Sequence, residues 1–194
     1  MNRIVLASSS PRRRELLAEA GVAFEIIVSP AEEIHDAAIP LEQLCEENAR
    51  LKAAAVAAEH PEAIVIGADT LVYIDGEPLG KPADLEQARQ TLKKLSGREH
   101  VVCTGVAICG PKGRISTFHD LTQVIFHPID DEVIDRYFSV ANPLDKAGAY
   151  GIQEHGDLLV EGIRGEFDNV MGLPTRKVLE ALKVAAGEIG HDPA

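Results

Sequence analysis

The sequence predicts an α/β protein built on a mixed β-sheet with flanking helices, and three observations carry that prediction. Strand-like apolar runs and helical patterns alternate through the first half of the chain. AIVIGAD (63–69) is almost wholly apolar, as a central strand covered on both faces should be. Two long β segments, HVVCTGVAIC (100–109) and ISTFHDLTQVIF (115–126), flank the turn residues Pro111, Lys112 and Gly113 and read as antiparallel neighbours.

Each element follows from local chemistry. RIVLAS (3–8) forms the first strand. Ser10 caps the next helix and Pro11 opens it, since a proline at the first helical position forfeits no hydrogen bond. Gly21 ends that helix, and FEIIVS (24–29) returns as a strand to complete a β-α-β unit. Residues 30–40 form an acidic loop with Glu32, Glu33 and Asp36. LEQLCEENARLKAAAVAAEH (41–60) is an Ala-rich helix stopped by Pro61. After 63–69, LVYIDGEPLG is a strand that turns at Asp75-Gly76, and Asp84 caps LEQARQTLKKLS, which stops at Gly97. DDEVIDRYFSV (130–140) begins with acids that suit a helix start. AYGIQ and LLVEGI read as short strands around His155-Gly156-Asp157. TRKVLEALKVAAGEI closes the chain as an amphipathic helix before a short polar tail. No interdomain linker interrupts the pattern, so residues 1–194 are expected to form a single domain.

Composition narrows the function. With 45% hydrophobic and 26% charged residues, the 194-residue chain has the balance of a soluble globular protein. A formal net charge of −12 and only 4% aromatics argue against a nucleic-acid partner, which calls for a basic face and stacking platforms. The apolar run before SSSPRRR is too short for a signal peptide or a membrane span. Cys45, Cys103 and Cys109 form no CxxC pair. A cytoplasmic protein with no membrane partner is expected. The seven histidines show no zinc spacing, no GxSxG elbow is present, and GEPLGKP is one residue short of a P-loop and has Pro82 where that motif needs Ser or Thr.

Three segments can carry chemistry. In SSSPRRR, three hydroxyls and three arginines meet at a helix start, where partial positive charge disfavours cations unless a bound anion or solvent offsets them. Arg12 and Arg13 share the first turn, whereas Arg14 points elsewhere. In IVIGADTLVYIDGEPLGKP, Asp69 is expected at the carboxyl end of an apolar strand, where open α/β sheets bind ligands. Gly67 permits close approach, and Lys81 returns after the turn. Asp69 and Lys81 suit either a metal–phosphate site or a structural ion pair. In DKAGAYGIQEHGDLLVEGIRG, Lys146 and Gln153 stand among glycines, and the Gln153 amide is suited to reading a base edge unless the segment is only a turn.

Together LASSSPRRRELL, GADTLVYIDGEPLGKP and DKAGAYGIQ followed by NVMGLP resemble the Maf proteins, which are nucleoside triphosphate pyrophosphatases. The likeness spans nearly the whole chain, with the motifs in the right order. It implies an elongated mixed α/β fold with a cleft between two lobes, related in shape to inosine-triphosphate pyrophosphatases. It implies that Asp69 is the general base or a metal-linked acid and that Ser8, Arg13, Lys52 and Lys81 contact phosphate. Glu33, in SPAEE, matches an acidic position at a divalent metal, Mg²⁺ or Mn²⁺, shared with Asp69. Arg12, Thr70 and Gln153 fall where subfamilies differ by base preference, and this set resembles the branch that cleaves dTTP and UTP to the monophosphate and pyrophosphate. A nucleoside triphosphate is then the substrate and a homodimer fits the family. The alternatives are a 7-methyl-GTP or other modified-nucleotide pyrophosphatase and a nucleotide-binding cell-division regulator.

Overall fold

Strand and helix alternate through the first half of the chain, as the sequence predicts. The order is β1 (Ile4–Leu6), α1 (Pro11–Glu19), β2 (Glu25–Ile26), α2 (Leu41–Glu59), β3 (Ile64–Ile74), β4 (Glu77–Leu79) and α3 (Leu85–Leu95). There follow β5 (Glu99–Cys109), β6 (Ile115–Phe126), α4 (Asp131–Val140), β7 (Val160–Arg164), α5 (Phe167–Met171) and α6 (Thr175–Ala185). The computed structural model describes residues 3–36 and 38–187. One sheet takes the strands in the order β2-β1-β3-β5-β6-β7, with β4 paired to β3. It is mixed: β1 runs parallel to β2 and β3, whereas the β3–β4 and β6–β7 pairs are antiparallel. Among the described residues no helix is long and apolar enough to cross a membrane.

The chain divides into two compact units. Met1–Asp69, Thr104–Asp120 and Gly172–Ala194 form the first; Thr70–Cys103 and Leu121–Met171 form the second.

In the first unit the cluster on the α2 side of the sheet is made of small side chains, among them Ala7, Ala49, Ala53, Val65 and Ala107, while Leu6, Leu17, Ile64 and Ile66 are fully buried elsewhere in the unit. Two glycines show how close α2 comes to the strands. A Cβ on Gly67 would stand 2.2 Å from the Ala49 carbonyl oxygen, and one on Gly105 would stand 2.3 Å from the Cys45 carbonyl carbon. The close approach expected at Gly67 is therefore made by the protein's own helix and not by a ligand.

The second unit has a bulkier core, with Leu92, Leu95, Phe126, Ile134, Tyr137, Tyr150 and Leu159. His100 is buried within it, edge-to-face with Phe126 and Tyr150 at ring-centroid distances of 5.0 and 5.5 Å. Its Nε2 is 2.7 Å from the Tyr150 hydroxyl. Burial pushes the His100 pKa down to about 4, because the charged form would lose its hydration. The predicted cap at Asp84 forms, accepting the backbone N–H of Gln87 at 2.8 Å, and Asp130, in the acidic helix start, caps α4 by accepting that of Val133 at 3.0 Å.

Several expected boundaries change. Residues 63–69 and the following strand are one element, β3, so Asp69 does not end a strand. The parallel β1–β3 pairing, however, stops at Leu6 and Ile66. AYGIQ is not a strand: Ala147–Ala149 is a 3₁₀ turn with Gly148 at φ 72° and Ala149 at φ 66°, values no extended chain adopts. Of LLVEGI only the part from Val160 pairs, and FEIIVS shrinks to an exposed two-residue strand. Residues 188 and 189 of the last expected helix, and the polar tail, lie outside the described residues.

Candidate active site

Asp69 is the most enclosed carboxylate of the first unit, with its side chain only 5% exposed. Period-two alternation along β3 puts it on the same face as Gly67, the face α2 covers. Because α2 lies directly on Gly67, its residues one turn apart, Asn48 and Lys52, meet Asp69 from above. The Lys52 ammonium is 2.7 Å from Asp69 Oδ1 and 2.6 Å from Glu33 Oε1. The Asn48 amide donates to Asp69 Oδ2 at 3.1 Å. The same amide donates to the Ile34 carbonyl at 3.1 Å, and its oxygen accepts the Ile34 N–H at 2.7 Å. Asn48 thus fixes the acidic loop and the Asp69 carboxylate with one side chain.

Of the sequence candidates, Glu33, Lys52 and Asp69 are brought together. Asp69 takes its cation from α2, as Lys52. Asn48 was missed. The available signal was its i, i+4 spacing to Lys52, a buried-type polar residue in an otherwise Ala-rich helix.

The SSSPRRR segment forms the expected capped helix start, and its arginines take different environments. Ser10 caps α1 by accepting the Arg13 N–H at 3.5 Å, and Pro11 is the first helical residue. Ser8 is buried, and its hydroxyl accepts the Ser10 N–H at 3.2 Å. Arg13 turns inward: its Nε donates to the Gly172 carbonyl at 2.8 Å and a terminal nitrogen to Ser8 Oγ at 3.3 Å. Desolvation lowers the Arg13 pKa; nearby Asp69 opposes that shift and Arg12 adds to it. A guanidinium keeps its charge regardless. The cation at this helix start is therefore accommodated by acceptors of the fold itself as well as by any ligand. Arg12 is half-buried, and Arg14 is exposed as expected.

Thr70, Lys81 and Gln153 belong to the second unit. Thr70 is half-buried on β3, and Lys81 and Gln153 are exposed. The β3–β4 hairpin turns at Asp75-Gly76, both at positive φ, with Val72 opposite Leu79, so the chain has doubled back by Lys81. Lys146 does not face solvent. It is 3% exposed, and its ammonium contacts the Asn142 carbonyl, Asp145 and Glu154.

The family model described as Maf-like protein matches residues 3–185. The chain belongs to the Maf family. Among curated Maf relatives, a dTTP/UTP pyrophosphatase of Akkermansia muciniphila is 50% identical over 179 residues, 92% of this chain and 94% of that one. A protein of the same name from Bacillus velezensis is 49% identical over 181 residues, 93% of this chain and 95% of that one. One from Bacillus mycoides is 44% identical over 191 residues, 98% of this chain and all of that one. Among solved structures, the Ham1 protein of Staphylococcus aureus aligns with a TM-score of 0.56 at 18% identity, covering 97% of this chain and 100% of that one. A HAM1 protein from Coxiella burnetii gives 0.52 at 16%, with the same coverage. At those identities the solved structures speak to the fold alone, and this Maf chain shares their mixed α/β fold.

Proposed function

We propose that this protein hydrolyses dTTP and UTP between the α and β phosphates, releasing the nucleoside monophosphate and pyrophosphate. The observation that carries the reading is the convergence of Lys52 and Asn48 on a buried Asp69, with Glu33 held on the same Lys52 ammonium. The 44–50% identity to dTTP/UTP pyrophosphatases along nearly the whole chain supports it.

Asp69 is the group that orients and deprotonates the attacking water. A carboxylate serves this task when it is held rigidly, and here each oxygen already has a donor, Lys52 on one and Asn48 on the other. The water oxygen bonds to the α phosphorus, the bond to the bridging oxygen breaks, and pyrophosphate leaves. Lys52, Arg13 and Ser8 offset the negative charge of the phosphates, the term that dominates such reactions. Lys81 joins the phosphates in this reading, while Arg12, Thr70 and Gln153 select the base.

Glu33 and Asp69 both pair with the Lys52 ammonium; in this reading their carboxylate oxygens, which are the hard donors a divalent cation takes, are the ones that would hold it. Two protein carboxylates suit Mg²⁺ or Mn²⁺, since Mg²⁺ keeps several waters and completes its shell with substrate phosphates. Such an ion, when bound, neutralises phosphate oxygens and lowers the pKa of water. A cytoplasmic location and a homodimeric state complete the reading.

Poor separation of dTTP from UTP follows physically. The two differ by a methyl group and a ribose hydroxyl, and a methyl discriminates by only about 1–3 kcal/mol.

The test is a panel of dTTP, UTP, CTP, GTP and 7-methyl-GTP with Mg²⁺, resolving pyrophosphate from orthophosphate. Pyrophosphate released fastest from dTTP and UTP is the expected result. Orthophosphate as first product, or preference for 7-methyl-GTP, contradicts the reading.

A further inference from the structure

The second unit contains a buried cation that the reaction does not use. Lys146 is 3% exposed, and its ammonium donates to the Asn142 carbonyl at 2.8 Å, to Asp145 Oδ1 at 2.7 Å and to Glu154 Oε2 at 2.8 Å. An ammonium has three donors, and all three are engaged within the fold. The Lys146 side chain is closed off within the second unit at 3% exposure, whereas that of Lys52 is 13% exposed. If its role were only to fill space, an apolar side chain of similar length would do so without the cost of desolvating a charge. What the ammonium adds is direction: it holds a carboxylate at one place.

That carboxylate belongs to Glu154, the residue after Gln153. Gln153 is exposed and makes no hydrogen bond of its own among the described residues, so its position is set by the backbone on either side. The backbone there is tightly held. The Glu154 N–H donates to the Gly151 carbonyl at 3.1 Å, closing the turn. The Gly151 N–H donates to the Tyr137 hydroxyl at 2.9 Å. The Lys146 stem lies against the turn so closely that a Cβ on Gly151 would stand 2.7 Å from its Cε. His155, at φ 55°, ends the turn in the left-handed region, which few non-glycine residues adopt.

We propose that Lys146, acting through Glu154, is a positioning residue for base selection: it fixes the turn that presents Gln153. The proposal rests on the reading that Gln153 contacts the base of a pyrimidine nucleotide. Asp145 bonds the same ammonium but lies outside the turn, which separates this role from general stabilisation.

The experiment measures kcat/KM for UTP and CTP with the full chain and its Lys146→Met, Glu154→Gln, Asp145→Asn and Gln153→Ala variants. UTP and CTP differ at the base edge that a side-chain amide reads. Gln153→Ala is expected to lower the UTP/CTP ratio. Lys146→Met and Glu154→Gln are expected to lower it on the order of fivefold or more, through a raised KM for UTP with kcat held within about threefold. Asp145→Asn is expected to leave the ratio within about twofold. A lowered ratio in Gln153→Ala with an unchanged one in Glu154→Gln overturns the proposal, whether or not Lys146→Met folds. Equal effects from Asp145→Asn and Glu154→Gln also overturn it. An unchanged ratio in Gln153→Ala overturns the base-contact reading itself, and the proposal with it.

Discussion

The two units handle buried charge in opposite ways. In the first, small residues let α2 settle onto β3 and β5 at Gly67 and Gly105, and the space gained is given to Asn48, Lys52 and Asp69. In the second, aromatic and branched side chains fill the interior, His100 is kept neutral, and one ammonium is sealed under a turn. The first arrangement concentrates reactive charge on rigid elements; the second uses charge to fix a shape.

The sharpest way to break the comparison is Lys52→Met. It leaves Asp69 buried without its counter-ion, which costs about 3–5 kcal/mol of stability. It also removes charge stabilisation worth on the order of 10²–10³ in turnover. Thermal unfolding and steady-state rates measure the two effects, and a fully stable, fully active variant would remove Lys52 from the account.

Next in size is the acid response of the second unit. His100 has a folded pKa of about 4, below its ordinary value of 6.5, so the unfolded chain binds the proton more readily between these limits. The stability this contributes is complete above pH 6.5 and is lost as the pH falls towards 4, by up to about 3 kcal/mol. Denaturant titrations across that window should show the slope, and His100→Gln should flatten it.

Asn48→Ala removes one side chain that satisfies both Ile34 backbone groups and an Asp69 oxygen. It should cost about 1–3 kcal/mol, with a fall in kcat larger than any change in KM.

The smallest effect belongs to the surface. Arg164 and Glu99 form an ion pair at 3.0 Å with both side chains about half exposed or more. Arg164→Ala should change stability by less than about 1 kcal/mol, measurable by the same titrations.

What the sequence made legible was local. Ser10, Pro11, Asp84 and Asp130 act at the helix starts as their chemistry dictates, because a cap depends on residues within one turn. An acid–lysine pairing at Asp69 was read with Lys81, whereas the lysine that pairs with it is Lys52, which entered only through the family resemblance. The i, i+4 spacing of Asn48 to Lys52 put both on one face of α2, but which strand that face meets depends on how closely α2 approaches β3 at Gly67, a tertiary fact. AYGIQ was misread because alternation suggests a strand, whereas Gly148 and Ala149 at positive φ bend the chain to bury Tyr150 against His100. For Arg13 the sequence offered a bound anion or solvent; it did not reveal the carbonyl 159 positions away that receives its Nε.

The central claim is that the first unit's cluster performs the chemistry on phosphate. Asp69→Asn tests it most directly, with dTTP turnover, dTTP binding by calorimetry and thermal unfolding measured on one preparation. Lys52 retains Glu33 in that variant, so the fold is expected to survive with dTTP affinity within about tenfold of the original and turnover reduced by 10² or more, the scale of a lost general base. Turnover close to the original in a folded Asp69→Asn protein would contradict the claim.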